Sequence, residues 1–350
     1  MSKNRLSTST SSSDMAYSNK RDIRIGIVAD THEASDPRLL IEELGRQSCD
    51  FYVHLGDIGG SPLTTRLVHE YKQTLGNLDH LNREDRERFD QLRNQGLTPI
   101  WSYIEMRMGE SQELRQQRLD ETTASYALVI EAMAKLEPVY FVSGNIDRAL
   151  ANSDSVRPAF EKNGVSLITE PRLIDLDDQA VVLWPSMKVL SPEFARNLER
   201  VIDDFNGRLR SKRRVVVMAH EQLFKGPPPA KYAENVERAG YKALTVPYFE
   251  PSPTWQYLLR LFRALPLSTD LAFVHGHVHD PCQVIQAGAP YLKGTPEAGL
   301  EYRLYGIATA CNGGIKRGRR TLRIFCVPAN EAMVLMLEPH RVRIESVKRS

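Results

Sequence analysis

Apolar residues come in short, nearly unbroken runs along this chain, at about 23–29, 51–55, 139–143, 214–219 and 271–275. Runs of this length rich in Val, Ile and Phe read as strands covered on both faces, the pattern of a parallel sheet. Between the first two, residues 36–48 place Leu39, Leu40 and Leu44 on one helical face, with Asp36-Pro37 as a start signal. Strand, helix, strand at this spacing predicts a βαβ unit with a parallel pair.

The rhythm then breaks. From about 61 to 137 no convincing buried strand occurs. Asn82–Arg93 and Glu110–Glu121 are densely charged and helix-prone, and Tyr126, Val129, Ile130, Met133 and Leu136 recur at helical spacing before Pro138. This predicts two to four helices, either a true insertion or cap, or ordinary crossover helices lying on the sheet. Short strands are expected near 165–168, 172–176 and 180–184, and a helix over 192–209. A long loop follows 214–219 and contains Gly226-Pro227-Pro228-Pro229 and Pro247; a helix fits 253–264. Alternating runs at 282–286, 303–309, 321–327 and 332–338 suggest antiparallel strands extending a second sheet. No internal repeat is visible.

Composition narrows the class. At 350 residues the chain fits one large domain or two ordinary ones. It is 41% hydrophobic and 26% charged, enough to bury a sizeable core, and its net charge of +2 gives no global basic field that demands nucleic acid. Cys49, Cys282, Cys311 and Cys326 form no CxxC, which fits reduced thiols in the cytoplasm. No apolar run approaches the ~20 residues that span a bilayer. Residues 1–21 have no apolar core of a signal peptide and are rich in Ser and Thr, so they read as a disordered tail, with a transit peptide as the alternative. Residues 22–350 then form the folded unit, including the segment at about 61–137.

The chemistry sits where the apolar runs stop. They lead into Asp30-Thr31-His32, Gly56-Asp57, Gly144-Asn145, His220 and Gly276-His277-Val278-His279. Parallel strands bring their ends to one edge of a sheet, so distant residues converge there. Asp57 offers two carboxylate oxygens and can bridge two ions. Asp30 and His32 are two apart in one loop, Asn145 offers an amide oxygen, and His220, His277 and His279 supply imidazoles suited to Mn, Fe or Zn. Each piece alone is a weak signal; a lone His after an apolar run is usually structural. Together, each at a strand end, they point to a two-metal hydrolase.

The order Asp-x-His, Gly-Asp-x-x-Gly, Gly-Asn-x-Asp, His, Gly-His-x-His resembles the signature of calcineurin-like metallophosphoesterases. The resemblance spans about 23–340. It implies an α/β fold, a four-layer αββα sandwich with two divalent cations at its edge. It also implies Asp30, His32, Asp57 and His279 on one ion, and Asp57, Asn145, His220 and His277 on the other. The activity implied is phosphoester hydrolysis by a metal-bridging hydroxide, with Asp57, Asn145 and Asp147 as the catalytic set.

One position departs from the family. The family often carries His where this chain has Ile146, in Gly144-Asn145-Ile146-Asp147. Ile146 can neither donate a proton nor bind phosphate. General-acid help is typically worth ~10²–10⁴-fold, so its loss favours better leaving groups and makes phosphodiester or nucleotide-like substrates more plausible than phosphomonoesters. Asp147 would then serve as a carboxylate behind a metal-bound His.

Other residues have blander readings beside functional ones. His54 reads as structural, His69 and His80 as surface residues, and Arg148 as a solvated cation rather than a phosphate contact. Glu33 and Glu221 each follow a ligand and could support it by hydrogen bonding. Lys316-Arg317-Gly318-Arg319-Arg320 reads as a hairpin turn between 303–309 and 321–327, with nucleic-acid contact as the alternative. Residues 208–214 (RLRSKRR) read as a helix C-terminus. The leading function is a metal-dependent phosphodiesterase acting on a small phosphoester. Weighed against it are an inactive interaction scaffold, which Ile146 and the charged segment favour, and a nuclease, which needs a groove for a polymer.

Overall fold

The computed structural model describes residues 22–33, 36–73, 79, 81–95, 97, 99–109, 111–147, 154–186, 192–221, 224–225, 250–251, 258, 261, 265–266, 268–276, 302–307, 312–317, 320–327, 329 and 331–347. The tail at 1–21, His80, Arg148, His277, His279, the helix expected at 253–264 and the run at 282–286 lie wholly or mostly outside them.

Its strands are β1 (Ile23–Val28), β2 (Phe51–His54), β3 (Val139–Val142), β4 (Leu167–Ile168), β5 (Arg172–Leu176), β6 (Gln179–Trp184), β7 (Arg214–Ala219), β8 (Phe224–Lys225), β9 (Glu250–Pro251), β10 (Asp270–His275), β11 (Tyr302–Ile307), β12 (Asn312–Arg317), β13 (Arg320–Cys326), β14 (Met333–Leu337) and β15 (Val342–Ser346). They form a six-stranded sheet in the order β15-β14-β1-β2-β3-β4 and a seven-stranded sheet in the order β11-β12-β13-β10-β7-β6-β5. In the first, β1, β2, β3 and β4 run parallel and β14 joins β1 antiparallel. In the second, β6, β7, β10 and β13 run parallel. The five runs read as parallel-sheet strands are therefore parallel strands, divided between the two sheets.

Strand parity explains the layering. Ile25, Ile27, Phe51 and Val53 from the first sheet share one buried core with Val181, Leu183, Val216, Met218, Ala272 and Val274 from the second. The sheets thus face each other, and a fully buried aliphatic side chain is worth ~1.5–3 kcal/mol relative to exposure. The opposite parity of the first sheet, Val28, Tyr52, Phe141, Val334 and Met336, packs on helices α1 (Pro37–Gly45) and α5 (Gln112–Met133) through Leu40, Ile41, Leu44, Tyr126, Val129, Ile130 and Met133. Helix 192–209 connects β6 to its parallel neighbour β7 and buries Leu198, Ile202, Phe205 and Leu209. With the inner face already filled, this crossover lies on the outer face of the second sheet. The layers are the αββα set that the resemblance implies.

Between β2 and β3 the described residues form four helices: α2 (Pro62–Gln73), α3 (Arg83–Asn94), α4 (Pro99–Met108) and α5. Side chains of Asn82 and Ser111 accept from the amides of Asp85 and Leu114 and so cap α3 and α5. Leu63 and Leu67 pack on Ile104 and Met108, and Phe89 on Tyr103 and Met106, so α2, α3 and α4 have small cores of their own. The charged stretch 110–121 and the apolar stretch 126–136 mostly share one helix. Its first half faces α2 and α4, and its second half lies on the sheet.

The C-terminal third differs from expectation in two ways. Strand β12 carries the first two cations of the basic run, Lys316 and Arg317, and pairs antiparallel with β13, with Arg317 opposite Arg320, so the run joins β12 to β13 and not 303–309 to 321–327. Strands β14 and β15 extend the first sheet instead of the second. Period-2 alternation identifies a strand but carries no information on which sheet edge receives it. Among the described residues, no helix is long and apolar enough to cross a membrane.

Candidate metal centre

Three strand ends meet at one point. Asp30 follows β1, Asp57 follows β2 and His220 follows β7, and one ligand atom from each lies within 4.8 Å of the others. All three are buried. His220 Nε2 is 3.3 Å from Asp57 Oδ2 and 3.0 Å from Asn145 Oδ1, while Nδ1 is 2.9 Å from the Leu55 carbonyl and 4.0 Å from Asp30 Oδ1. His32 sits beside them, with Nδ1 3.2 Å from the Asp57 carbonyl. Each imidazole thus has its Nδ1 on a backbone carbonyl, the arrangement that leaves Nε2 for a metal. Five of the seven residues expected to bind metal are brought together: Asp30, His32, Asp57, Asn145 and His220. For His277 and His279 the nearest described residue is Gly276, where a Cβ would stand 2.6 Å from Asp30 Oδ2.

The backbone at this point is bent into an uncommon form. Asp30 (φ 52°) and Asp57 (φ 51°) both adopt the left-handed region, and Gly56 precedes with φ 96°. Non-glycine residues rarely adopt it, and such outliers gather at functional sites. The turn brings Gly56 against Gly144 so tightly that a Cβ on Gly144 would lie 2.2 Å from Asp57 Oδ1. The two Gly-Asp and Gly-Asn motifs therefore need glycine so that the β2 and β3 loops can touch.

Asp147 holds this turn. Its Oδ2 accepts from the amides of Asp57 (2.6 Å) and Gly144 (2.8 Å), and its Oδ1 accepts from the Ile58 amide (3.0 Å) and the Tyr126 hydroxyl. Its oxygens are taken up by the loop that carries Asp57, not by a metal-bound histidine as the sequence suggested. Burial and the neighbouring Asp57 raise its pKa, against these hydrogen bonds. Asp57 Oδ1 in turn accepts from the Ile146 amide at 3.0 Å, so Ile146 contributes its backbone where a side chain was expected.

His54 is structural. Burial lowers its pKa to about 3, so the ring is neutral. Its Nδ1 accepts from the Gly56 amide at 3.1 Å and its Nε2 donates to Thr31 Oγ1 at 2.8 Å, while Thr31 donates to the Ile58 carbonyl. Glu221 accepts from Ser186 Oγ at 2.7 Å. His69 is an exposed residue of α2. The side chain of Glu33 is outside the described set.

The electrostatics favour added positive charge. Burial disfavours the His220 cation, yet Asp57 and Asp30 outweigh it and push its pKa up to about 10. Burial likewise opposes ionisation of Asp57, and His220, His32 and the Ile146 amide hold it below the usual range. Two buried carboxylates, an amide oxygen and two imidazoles make a donor set of oxygen and nitrogen that suits a divalent transition metal.

Sequence reasoning missed the contribution of the helical segment. Tyr126 lies in an apolar helical stripe, and nothing in the pattern says that its hydroxyl reaches Asp147. Glu121 of α5 accepts from Ser61 Oγ (2.6 Å) and the Leu63 amide (3.0 Å), and Ser125 Oγ accepts from the Gly60 amide (3.2 Å), so α5 also fixes the loop after Asp57. A cavity of about 800 Å³ opens between His32, Gly60 and Ile146 on one side and α2, α4 and α5 on the other.

No family model and no curated protein matches this chain. Its fold is similar to several solved structures. Purple acid phosphatase PPD1 from yellow lupin (Lupinus luteus) is 10% identical with TM-score 0.43, over 94% of this chain and 52% of that one. PhoD is 7% identical with TM-score 0.42, over 94% and 66%. GAP50, the anchor in the inner membrane complex of Plasmodium, is 9% identical with TM-score 0.41, over 93% and 84%. This chain spans about half the length of the lupin phosphatase. The likenesses are distant, and the chemistry of the site rests on its own geometry.

Proposed function

We propose that this chain is a metal-dependent phosphoric diester hydrolase that uses two divalent cations. The observation that carries this reading is the convergence of Asp30, Asp57 and His220 within 4.8 Å, buried at the strand ends and bordered by an open cavity. Asp30, His32, Asp57, Asn145 and His220 would hold the ions, with His277 and His279 completing the set. Bound cations supply Lewis-acid stabilisation of phosphoryl oxygens and a nucleophile at neutral pH.

The protein's own part is positioning. Asp147 and the Gly56–Gly144 contact hold the Asp57 carboxylate rigid, and the Leu55 and Asp57 carbonyls orient His220 and His32. Ile146 places an apolar side chain at the cavity edge, so position 146 offers no proton donor to a poor leaving group. This supports a diester over a monoester, because the leaving group must depart with less help. The test is hydrolysis of bis(p-nitrophenyl) phosphate against p-nitrophenyl phosphate by Mn-loaded protein, with metal content measured on the same sample. Preference for the monoester, or protein that takes up no divalent ion, would overturn the reading.

A further inference from the structure

The cavity beside the metal centre has a second wall that the hydrolytic chemistry leaves unused. It is built from the helical segment: Val68 of α2, Trp101 and Met108 of α4, and Arg115, Arg118 and Leu119 of α5. Trp101 is half-buried, and the Arg118 guanidinium lies 5.5 Å from its ring centre. Arg118 also pairs with Glu105 at 2.9 Å, which neutralises it. Arg115 is exposed and donates to the Gly109 carbonyl at 2.8 Å, so it is the cation in excess on this wall. Leu119 is 40% exposed and adds an apolar patch to this wall.

From this juxtaposition we propose that the chamber binds the nucleotide part of the substrate. A phosphate lies at the His32 and Ile146 end, a flat base lies against Trp101, and a further negative charge faces Arg115. The inference rests on the diesterase reading for the phosphate end and adds the class of the group attached to it. Three features select a nucleotide over a simple aryl or alkyl ester. The volume suits a ligand of drug-like size rather than a methyl or ethyl group. An indole with a guanidinium lying over its ring presents a flat, cation-bearing surface on which any base can stack. An uncompensated arginine at the wall favours an anionic partner. Walls of three helices around the chamber also suit a small molecule better than a polymer.

Binding can be read without catalysis. Protein loaded with Mn²⁺ is titrated with adenosine 5′-monophosphate while tryptophan fluorescence is followed, with inorganic phosphate and phenyl phosphate as comparison probes. Adenosine 5′-monophosphate is expected to quench the wild type and bind more tightly than the other two. Trp101→Phe should retain binding with altered quenching. Trp101→Ala should weaken binding about tenfold, the lower part of the range for one base stacked on an aromatic ring. Arg115→Glu, a surface change that leaves the small core intact, should weaken it several-fold at low salt. Equal affinity of the three probes, or Trp101→Ala and Arg115→Glu proteins that bind the nucleotide like wild type, would overturn the chamber. Nucleotide binding that depends on Trp101 in a protein inert on every diester would sink the hydrolase reading alone. Diester hydrolysis with nucleotide binding indifferent to both substitutions would sink the chamber alone.

Discussion

Both ends of the sandwich bury charge, and they resolve it differently. Away from the metal centre, Arg214 is 1% exposed at the start of β7, donating to Asp270 at 2.9 Å, Gln179 at 3.0 Å and the Glu338 carbonyl. Lys212 is buried beside it and bonds Asp175 and the Asp177 carbonyl. Each cation there has a protein anion, so the network closes on itself. These two residues come from the basic run at 208–214, read from the sequence as a helix C-terminus; the helix ends at Leu209, and the run continues to the start of β7. At the other end of the same strand, His220 faces Asp30 and Asp57, with Asp147 behind them. That end gathers two carboxylates and an imidazole at one point beside an open cavity. The closed network holds the fold together; the open end presents groups that can hold an ion.

Breaking each end should therefore give a different phenotype. Asp57→Ala should lower turnover of an aryl phosphodiester by at least about a thousandfold, corresponding to the several kcal/mol that bound cations contribute. Metal content measured by elemental analysis should fall with it while circular dichroism stays native. A variant that keeps its metal and its rate would show that the open end is not the site. Arg214→Met should do the reverse. Removing one partner of a buried pair costs about 3–5 kcal/mol, visible in urea unfolding, with metal content per folded molecule unchanged.

If Mn²⁺ fills the proposed site, it should stabilise the wild type. At a hundred times its dissociation constant the gain is about 2.7 kcal/mol, and Asp57→Ala should lose most of it. Tyr126→Phe probes the link between the helical segment and the site. Deleting a hydrogen bond to a charged group costs about 1.5–3 kcal/mol, and part of this should appear as a kcat about tenfold lower with KM and metal stoichiometry little changed. If stability falls but kcat does not move, Tyr126 serves the fold alone. Arg83→Ala sets the floor. Its pair with Glu87 is almost wholly in solvent, with side-chain exposures of 92% and 60%, and such pairs contribute about 0–1 kcal/mol. A larger effect on unfolding would upset the contrast between buried and surface charge.

Much of this was readable from the chain because local periodicity and strand ends are local facts. The runs ending at Asp30, Asp57, Asn145 and His220 marked the four strand ends that meet, and helix 192–209 matched its predicted bounds. Less was readable where the answer depended on partners. Strand β12 was missed because Asn312, Gly313 and Gly314 have low strand propensity and pair only through their neighbours β11 and β13. Asp147 looked like support for a histidine, yet its position beside three amides and Tyr126 is set by packing.

Residue order alone determined which groups stand at strand ends, since alternation, apolar runs and glycine-flanked carboxylates are written into adjacent positions. It determined too that Ile146 withholds a proton donor. Tertiary structure decided that Tyr126, Glu121 and Ser125, far along a charged helical stretch, return to grip the Asp57 loop, and that Trp101 and Arg115 share one cavity with His32. Contacts between side chains remote in sequence depend on how helices pack and where loops close, and no local pattern records that.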